Sequence, residues 1–305
     1  MRKHENSALN FESLSDLHRA LGLPKPLHPL ISLLNSDAQF KIAEYMPKSH
    51  VLKYFKISFK SELGGKLKYG QGHYDFDDGG LMFAAPNQVI GSSSETIDKS
   101  LYTLLIHPDF FLGFPLAQKI TQYGFFSYSA NEALHLSALE KTTILSVFKI
   151  IEEELNSRID DFSQEVIISQ IELLLNYSNR FYKRQFITRR GTNNGIIQKL
   201  ESILNEHFSD EKILGKHIPT VQALAERMNV SASYLSDMLR SLTGQNTQQH
   251  IHYRMIEKAK EKLSTTNLSV SEVAYLLGFE YPQSFSKFFK AKTALSPQEF
   301  RRTFN

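Results

Sequence analysis

Two stretches near the end of the chain are versions of one another. TVQALAERMNV, from Thr220, aligns with SVSEVAYLLGF, from Ser269, at an offset of 49 residues, pairing Leu224 with Val273, Ala225 with Ala274 and Met228 with Leu277. Past the intervening turn the offset becomes 50, pairing Leu235 with Phe285, Ser236 with Ser286, Leu239 with Phe289, Arg240 with Lys290 and Thr243 with Thr293. Each copy reads as a short amphipathic helix, a tight turn and a second amphipathic helix. Only two copies exist, so this is a duplicated unit and not a solenoid.

The small Ala225 and Ala274 stand where two helices crossing steeply must approach closely, as a helix-turn-helix requires. Ser231 is an N-cap candidate and Pro282 suits a first helical turn, so the second helix of each unit starts there. Between the copies, NTQQHIHYRMIEKAKEKLSTT places Ile251, Met255, Ala259 and Leu263 at helical spacing. About 19 residues at ~1.5 Å each span roughly 28 Å, which approaches the ~34 Å between successive major-groove faces on one side of a duplex. This spacing predicts one chain carrying two recognition helices into adjacent grooves.

The rest of the sequence limits what accompanies this unit. A chain of 305 residues is long enough for two domains. The absence of cysteine excludes disulfides, thiolate metal sites and a cysteine nucleophile. No apolar run approaches membrane-span length, and MRKHENSALNFESLSDL lacks a signal-peptide core, so a soluble cytoplasmic protein is expected. The net charge of +3 argues little, but Leu173–Leu200 holds no acidic residue and carries Arg180, Lys183, Arg184, Arg189, Arg190 and Lys199. A solvated helix end with linker, and a role in holding phosphates, both fit that run.

Upstream, residues 51–106 alternate with period two, as in Phe55, Ile57 and Phe59 against Lys56, Ser58 and Lys60, with Gly, Asp and Pro between runs. This predicts a small antiparallel sheet or barrel over 1–136. From about Ser137 the period becomes helical through Ile144, Phe148, Ile151 and Leu155, and again through Ile167, Ile171 and Leu174. The two helices read as a hairpin over 137–188 that packs internally or also pairs two copies of the chain into a homodimer. RRGTNNG, residues 189–195, reads as a linker, and 196–305 as all helix, with the paired units at 220–242 and 269–292. The fold class expected is α+β.

The second copy and its approach, KAKEKLSTTNLSVSEVAYLLGFEYPQSFSKFFKAKTALSPQEFR from Lys258, resembles the signature of AraC/XylS-type transcription regulators. The resemblance covers residues 196–304. It implies a seven-helix DNA-binding domain with two helix-turn-helix units, joined to a regulatory domain that is often a cupin-like barrel with a helical dimerisation element. It also implies double-stranded DNA and RNA polymerase as partners and a small-molecule effector. The order of elements in the front half is similar.

The base readers expected from position are Ser231, Ser233, Tyr234, Asp237, Gln283, Ser284 and Lys287, with Pro282 in the same DNA-binding stretch as a first-turn residue. Glutamine can pair with an adenine edge, and lysine reaches guanine or phosphate. Arg240, Lys290, Lys292, Arg301 and Arg302 are expected to hold phosphates. Asp237 is unusual where the family commonly has a base, and repels phosphate unless it meets a cytosine amino group or pairs with Arg240. Ala294 stands where the family often has glycine and the first copy has Gly244, which predicts an altered turn. Tyr45, Tyr54, His73, Tyr74 and Phe83 are the expected effector-pocket residues, with core packing as the plainer role. His250 and His252 lie two apart on a helix, pointing to different faces, and GHYDFDD lacks a His-x-His, so neither a metal nor another cofactor is expected. No phosphate loop or nucleophile elbow appears, which argues against an enzyme. The rival reading is a helical protein-interaction module without specific DNA binding.

Overall fold

The computed structural model describes residues 9–35, 49–60, 68–69, 72–73, 79–91, 100–129, 132–158, 160–188, 190–209 and 217–304. The chain divides into two compact units, Met1–Gln185 and Phe186–Asn305.

In the first unit, strands β2 (Ile31–Asn35), β4 (Phe55–Lys60), β7 (Gly80–Ala84), β9 (Ser100–Ile106) and β10 (Leu134–His135) form an antiparallel sheet in the order β10-β7-β4-β9-β2. The period-two pattern does what it predicts on β4, burying Phe55, Ile57 and Phe59 on one face. That face meets helix α3 (Ala138–Asn156), where Phe148 stacks on Tyr102 at 5.4 Å and lies 6.4 Å from Phe59. The opposite face is covered as well: Leu34, Leu52, Tyr54 and Leu105 pack on Leu14, Leu17 and Leu21 from α1 (Leu14–Ala20) and its end. Ser58 is therefore buried, and its hydroxyl pairs with Thr103 at 3.0 Å across the β4–β9 register. A buried hydroxyl needs such a partner.

Strands β1 (Leu9–Phe11), β3 (Ser49–Leu52) and β8 (Val89–Gly91) form a second sheet in the order β1-β3-β8. Its β1–β3 pair is parallel, a departure from the all-antiparallel expectation. Parallel neighbours need a long crossover, and the chain between these strands supplies it through α1 and β2. A short pair, β5 (Lys68–Tyr69) with β6 (Gly72–His73), is antiparallel. After β9 come 3-10 turns, helix α2 (Leu116–Lys119) and then α3.

Ser137 and Glu140 cap α3 reciprocally. The turn before α4 (Ser163–Thr188) is held by Asp160, whose carboxylate accepts from the N–H groups of Phe162 and Ser163. Ile144, Phe148, Ile151, Ile167, Ile171 and Leu174 are buried as their spacing predicts. Arg184 is not a phosphate holder here, because its guanidinium bonds to Glu140 at 2.6 Å and to the His135 carbonyl at 2.9 Å.

The second unit is helical among its described residues: α5 (Arg190–Ser209), α6 (Val221–Met228), α7 (Ala232–Thr243), α8 (Thr247–Thr265), α9 (Val270–Leu276), α10 (Pro282–Thr293) and α11 (Pro297–Arg302). Helix α5 begins inside the stretch 189–195 that reads as a linker. The weak helix propensity of its glycines and asparagines, up to about 1 kcal/mol each, is overridden by the amphipathic run that follows, which buries Leu200, Ile203 and Leu204.

The duplication holds down to its caps. Thr220 and Ser269 start the first helix of each unit by accepting the N–H three residues on. Both turns pass through a left-handed residue, Asn229 at φ 57° and Gly278 at φ 86°. A side-chain carbon at Gly278 would meet the His217 backbone carbonyl carbon at 2.9 Å, so only glycine fits. Both second helices end alike: Gly244 (φ 78°) bonds to the Arg240 carbonyl and Ala294 (φ 64°) to the Lys290 carbonyl. The turn at Ala294 is thus not altered. Thr293, like Thr243, braces it by accepting a backbone N–H two residues on, and the chain absorbs the alanine's left-handed strain.

Three histidines pack between these helices. His250 meets the Thr243 hydroxyl at 3.0 Å, His207 the His217 carbonyl at 3.2 Å, and His252 lies edge-on to Phe288 at 5.0 Å. Burial, foremost, pushes the pKa of each below its usual value of 6.5, with Lys292 adding to the effect at His252.

Three outcomes are expected. Ala294→Gly should stabilise the domain by about 1 kcal/mol in denaturant unfolding, the strain an L-residue bears in the left-handed region. Gly278→Ala should destabilise it by at least ~2 kcal/mol. The histidines favour their neutral forms in the folded state, so the unfolded chain takes up protons first as pH falls through 6.5. Melting temperature should hold above that pH and drop below it, and His252→Gln should reduce the drop.

Candidate nucleic-acid interface

The two helices expected to read DNA, α7 and α10, share a backbone plan but present different surfaces. Leu235, Met238 and Leu239 of α7, and Phe285 and Phe289 of α10, are buried on their inward sides. Fully burying a phenylalanine is worth roughly 1.5–3 kcal/mol, enough to fix which side of α10 faces out. Gln283, Ser284, Lys287, Lys290 and Lys292 are exposed there, and Pro282 occupies the first helical turn. The side chains of Gln283 and Lys287 make no hydrogen bond or ion pair to any described residue. An exposed amide and ammonium one turn apart near a helix N-terminus form a donor set suited to base edges.

Helix α7 offers less. The Ser231 hydroxyl accepts from the Tyr234 N–H at 3.2 Å as the N-cap, and Ser233 is half-buried. Asp237 pairs with Arg240 at 3.1 Å, the arrangement that offsets its repulsion toward phosphate. Tyr234 is only 3% exposed and lies edge-on to Phe186, ring centroids 5.2 Å apart, so in this structure it presents no surface for reading bases.

Arg301 holds the domain together from within, its guanidinium donating to the Leu263 carbonyl at 3.2 Å and the Leu268 carbonyl at 2.5 Å. It thereby satisfies the Leu263 carbonyl in the last turn of α8 and the Leu268 carbonyl in the connection to α9. Arg302 remains exposed. Tyr281, which is 65% exposed directly before Pro282, joins the outward face without having been singled out by sequence. Its alignment with Ser231 as the residue before the second helix is the signal that points to it.

Of the expected effector residues, Tyr54 and Phe83 have described side chains, and these lie on opposite faces of the sheet. Tyr54 is a core residue in the cluster with Leu34 and Leu105, its hydroxyl without a hydrogen-bond partner among the described residues and its pKa pushed up to about 12, chiefly by burial. Phe83, in register with Ile57, belongs to the other face of the sheet. It packs on Phe125 and Phe126 beside a cavity of about 10 Å³ that Tyr128, Glu132 and Tyr182 also line. That volume suits one water molecule. Tyr45 and Tyr74 lie outside the described residues, as does the side chain of His73. Among the described residues, no group of three His, Asp or Glu side chains is placed to hold a metal ion, and no helix is long and apolar enough to cross a membrane.

Residues 224–303 match a family model described as a helix-turn-helix domain. The chain is 28% identical over 141 residues to the HTH-type transcriptional activator RhaS of Salmonella schwarzengrund (strain CVM19633), covering 46% of each chain. It is 32% identical over 84 residues to the raffinose operon transcriptional regulatory protein RafR of Pediococcus pentosaceus, 28% of this chain and 30% of that one. The matches thus span about half or less of these curated relatives. The DNA-binding domain of AdpA, solved in complex with a target DNA, is 27% identical, covering 34% of this chain and 91% of that one with a TM-score of 0.30. The segment that matches the helix-turn-helix domain model thus spans the turns of both units.

Proposed function

We propose that the protein is a cytoplasmic transcription regulator that binds specific DNA sequences by setting α7 and α10 in successive major grooves. The observation that carries this reading is the outward face of α10, where Gln283, Ser284 and Lys287 stand exposed over a core closed by Phe285 and Phe289. The front unit is read as a cupin-like domain that senses a small-molecule effector. The aromatic wall at Phe83 is the described part best suited to that role. The hairpin 137–188 is read as the homodimer element, supported by the exposed Phe162, Val166 and Leu173 on and beside α4, the last two at heptad spacing. RNA polymerase is the partner that a bound regulator of this kind would act on.

The roles of α10's side chains separate in a binding assay. Gln283→Ala should relax preference at one base step, by about 1–3 kcal/mol of discrimination, and leave other positions unchanged. Lys290→Ala should weaken all duplexes alike and reduce the slope of log affinity against log salt by about 1. Equal loss on every sequence for Gln283→Ala would contradict its reading role. Salt-independent binding would favour the protein-interaction module.

A further inference from the structure

The second helix of each unit starts from equivalent positions, Ser231 and Tyr281, and the two side chains behave differently. Ser231 caps α7, its hydroxyl accepting from the Tyr234 N–H at 3.2 Å. Thr220, Asn246, Ser269 and Ser296 cap α6, α8, α9 and α11 in the same way. Tyr281 cannot reach its own helix so, and α10 starts without a side-chain cap. A serine at this position would supply one and stabilise the helix. What stands there is a ring that is 65% exposed and belongs to no core cluster, with no ring contact and no hydrogen bond from its hydroxyl among the described residues. An apolar ring is thus held in water where a small polar residue would serve the fold better.

We infer that Tyr281 is a base-specificity residue, whose ring packs against the C5-methyl group of a thymine in the major groove. A recognition helix meets base edges with its N-terminal residues, and Tyr281 directly precedes the first turn of α10. Residues three apart are neighbours on a helix surface. Tyr281, Ser284 and Lys287 follow one another at that interval, and all three are exposed. The ring therefore leads the face that carries Lys287, beside the exposed amide of Gln283. Thymine's methyl is the apolar feature of the major-groove code, and an aromatic ring matches it where an amide or ammonium group does not. The core does not call on this ring either. Phe279, two residues earlier, already turns inward onto Phe285 at 5.5 Å and Phe288 at 5.7 Å. The inference rests on the DNA-reading function proposed above and adds to it the base feature that one residue recognises.

The test uses the full chain and a library of random-sequence duplexes, selected in parallel with wild type, Tyr281→Ser, Tyr281→Phe and Gln283→Ala. The wild-type motif should hold a thymine that Tyr281→Ser no longer requires and Tyr281→Phe still does. Replacing that thymine by deoxyuridine, which keeps the base pair and removes only the methyl, should weaken wild type about 4-fold and leave Tyr281→Ser unchanged. Because serine restores the cap, Tyr281→Ser should also raise the melting temperature, by roughly 2–4 °C, so lost preference cannot be traced to lost folding. A Tyr281→Ser motif identical to that of wild type, while Gln283→Ala relaxes one position, would overturn the role of Tyr281 and leave DNA reading intact. Equal binding of the thymine and deoxyuridine duplexes by wild type, or loss of the thymine in Tyr281→Phe, would likewise overturn the methyl contact alone. No motif from wild type or any variant would overturn both.

Discussion

Helix α8 supplies one wall to each of the two helix-turn-helix units, and the C-terminal domain depends on that sharing. Its N-terminal half buries Ile251 and Met255. Its C-terminal half contributes Ile256, Ala259 and Leu263 to the cluster that holds Val273, Ala274, Phe285 and Phe289. Neither unit has enough apolar surface to close a core alone, since each consists of two helices of 7–12 residues. A shared helix solves the burial problem and fixes the distance between the units at once. Asn246 and Gln249 cap its start, and Arg301 takes carbonyls at its end, tying α11 back onto it. The backbone approach of His217 to Gly278 adds a second tie, between the chain leading into the first unit and the turn of the second.

On this frame the two recognition helices have diverged in chemistry more than in shape. The caps, the left-handed exits and the threonine braces are common to both. The outward residues are not: serines, a buried tyrosine and an internally neutralised Asp237 on one helix, glutamine and lysines on the other. Solvent-facing positive charge is concentrated on α10, where Lys287, Lys290 and Lys292 are exposed.

Much of this was legible in the sequence because it rests on local rules. The offset of 49 then 50 located both turns, and the buried partners Leu224/Val273, Ala225/Ala274 and Leu235/Phe285 followed from periodicity. Alternation found β4, and the change of period found α3 and α4. What escaped depends on contacts far apart along the chain. Arg301 looks like any terminal arginine until two carbonyls 33 and 38 residues away meet it. Tyr234 looks like a reader until Phe186 lies on it. Arg184 looks like part of a basic run until Glu140 comes within 2.6 Å. The parallel β1–β3 pair is likewise a choice of register that alternation alone does not make. At 189–195 and at Ala294 local propensity pointed the wrong way, and tertiary packing and a threonine brace outweighed penalties of about 1 kcal/mol each.

If α10 reads DNA while its lysines neutralise phosphates, a salt titration will show both. The purified chain would be offered fragments of genomic DNA, and affinity for an enriched fragment measured across salt concentrations against an unenriched one. A linear fall of log affinity with log salt is expected on both, with a slope of about −0.9 for each phosphate neutralised, and a constant advantage for the enriched fragment that Lys287→Ala removes. Affinity that ignores salt, or that never distinguishes one fragment from another, would contradict it.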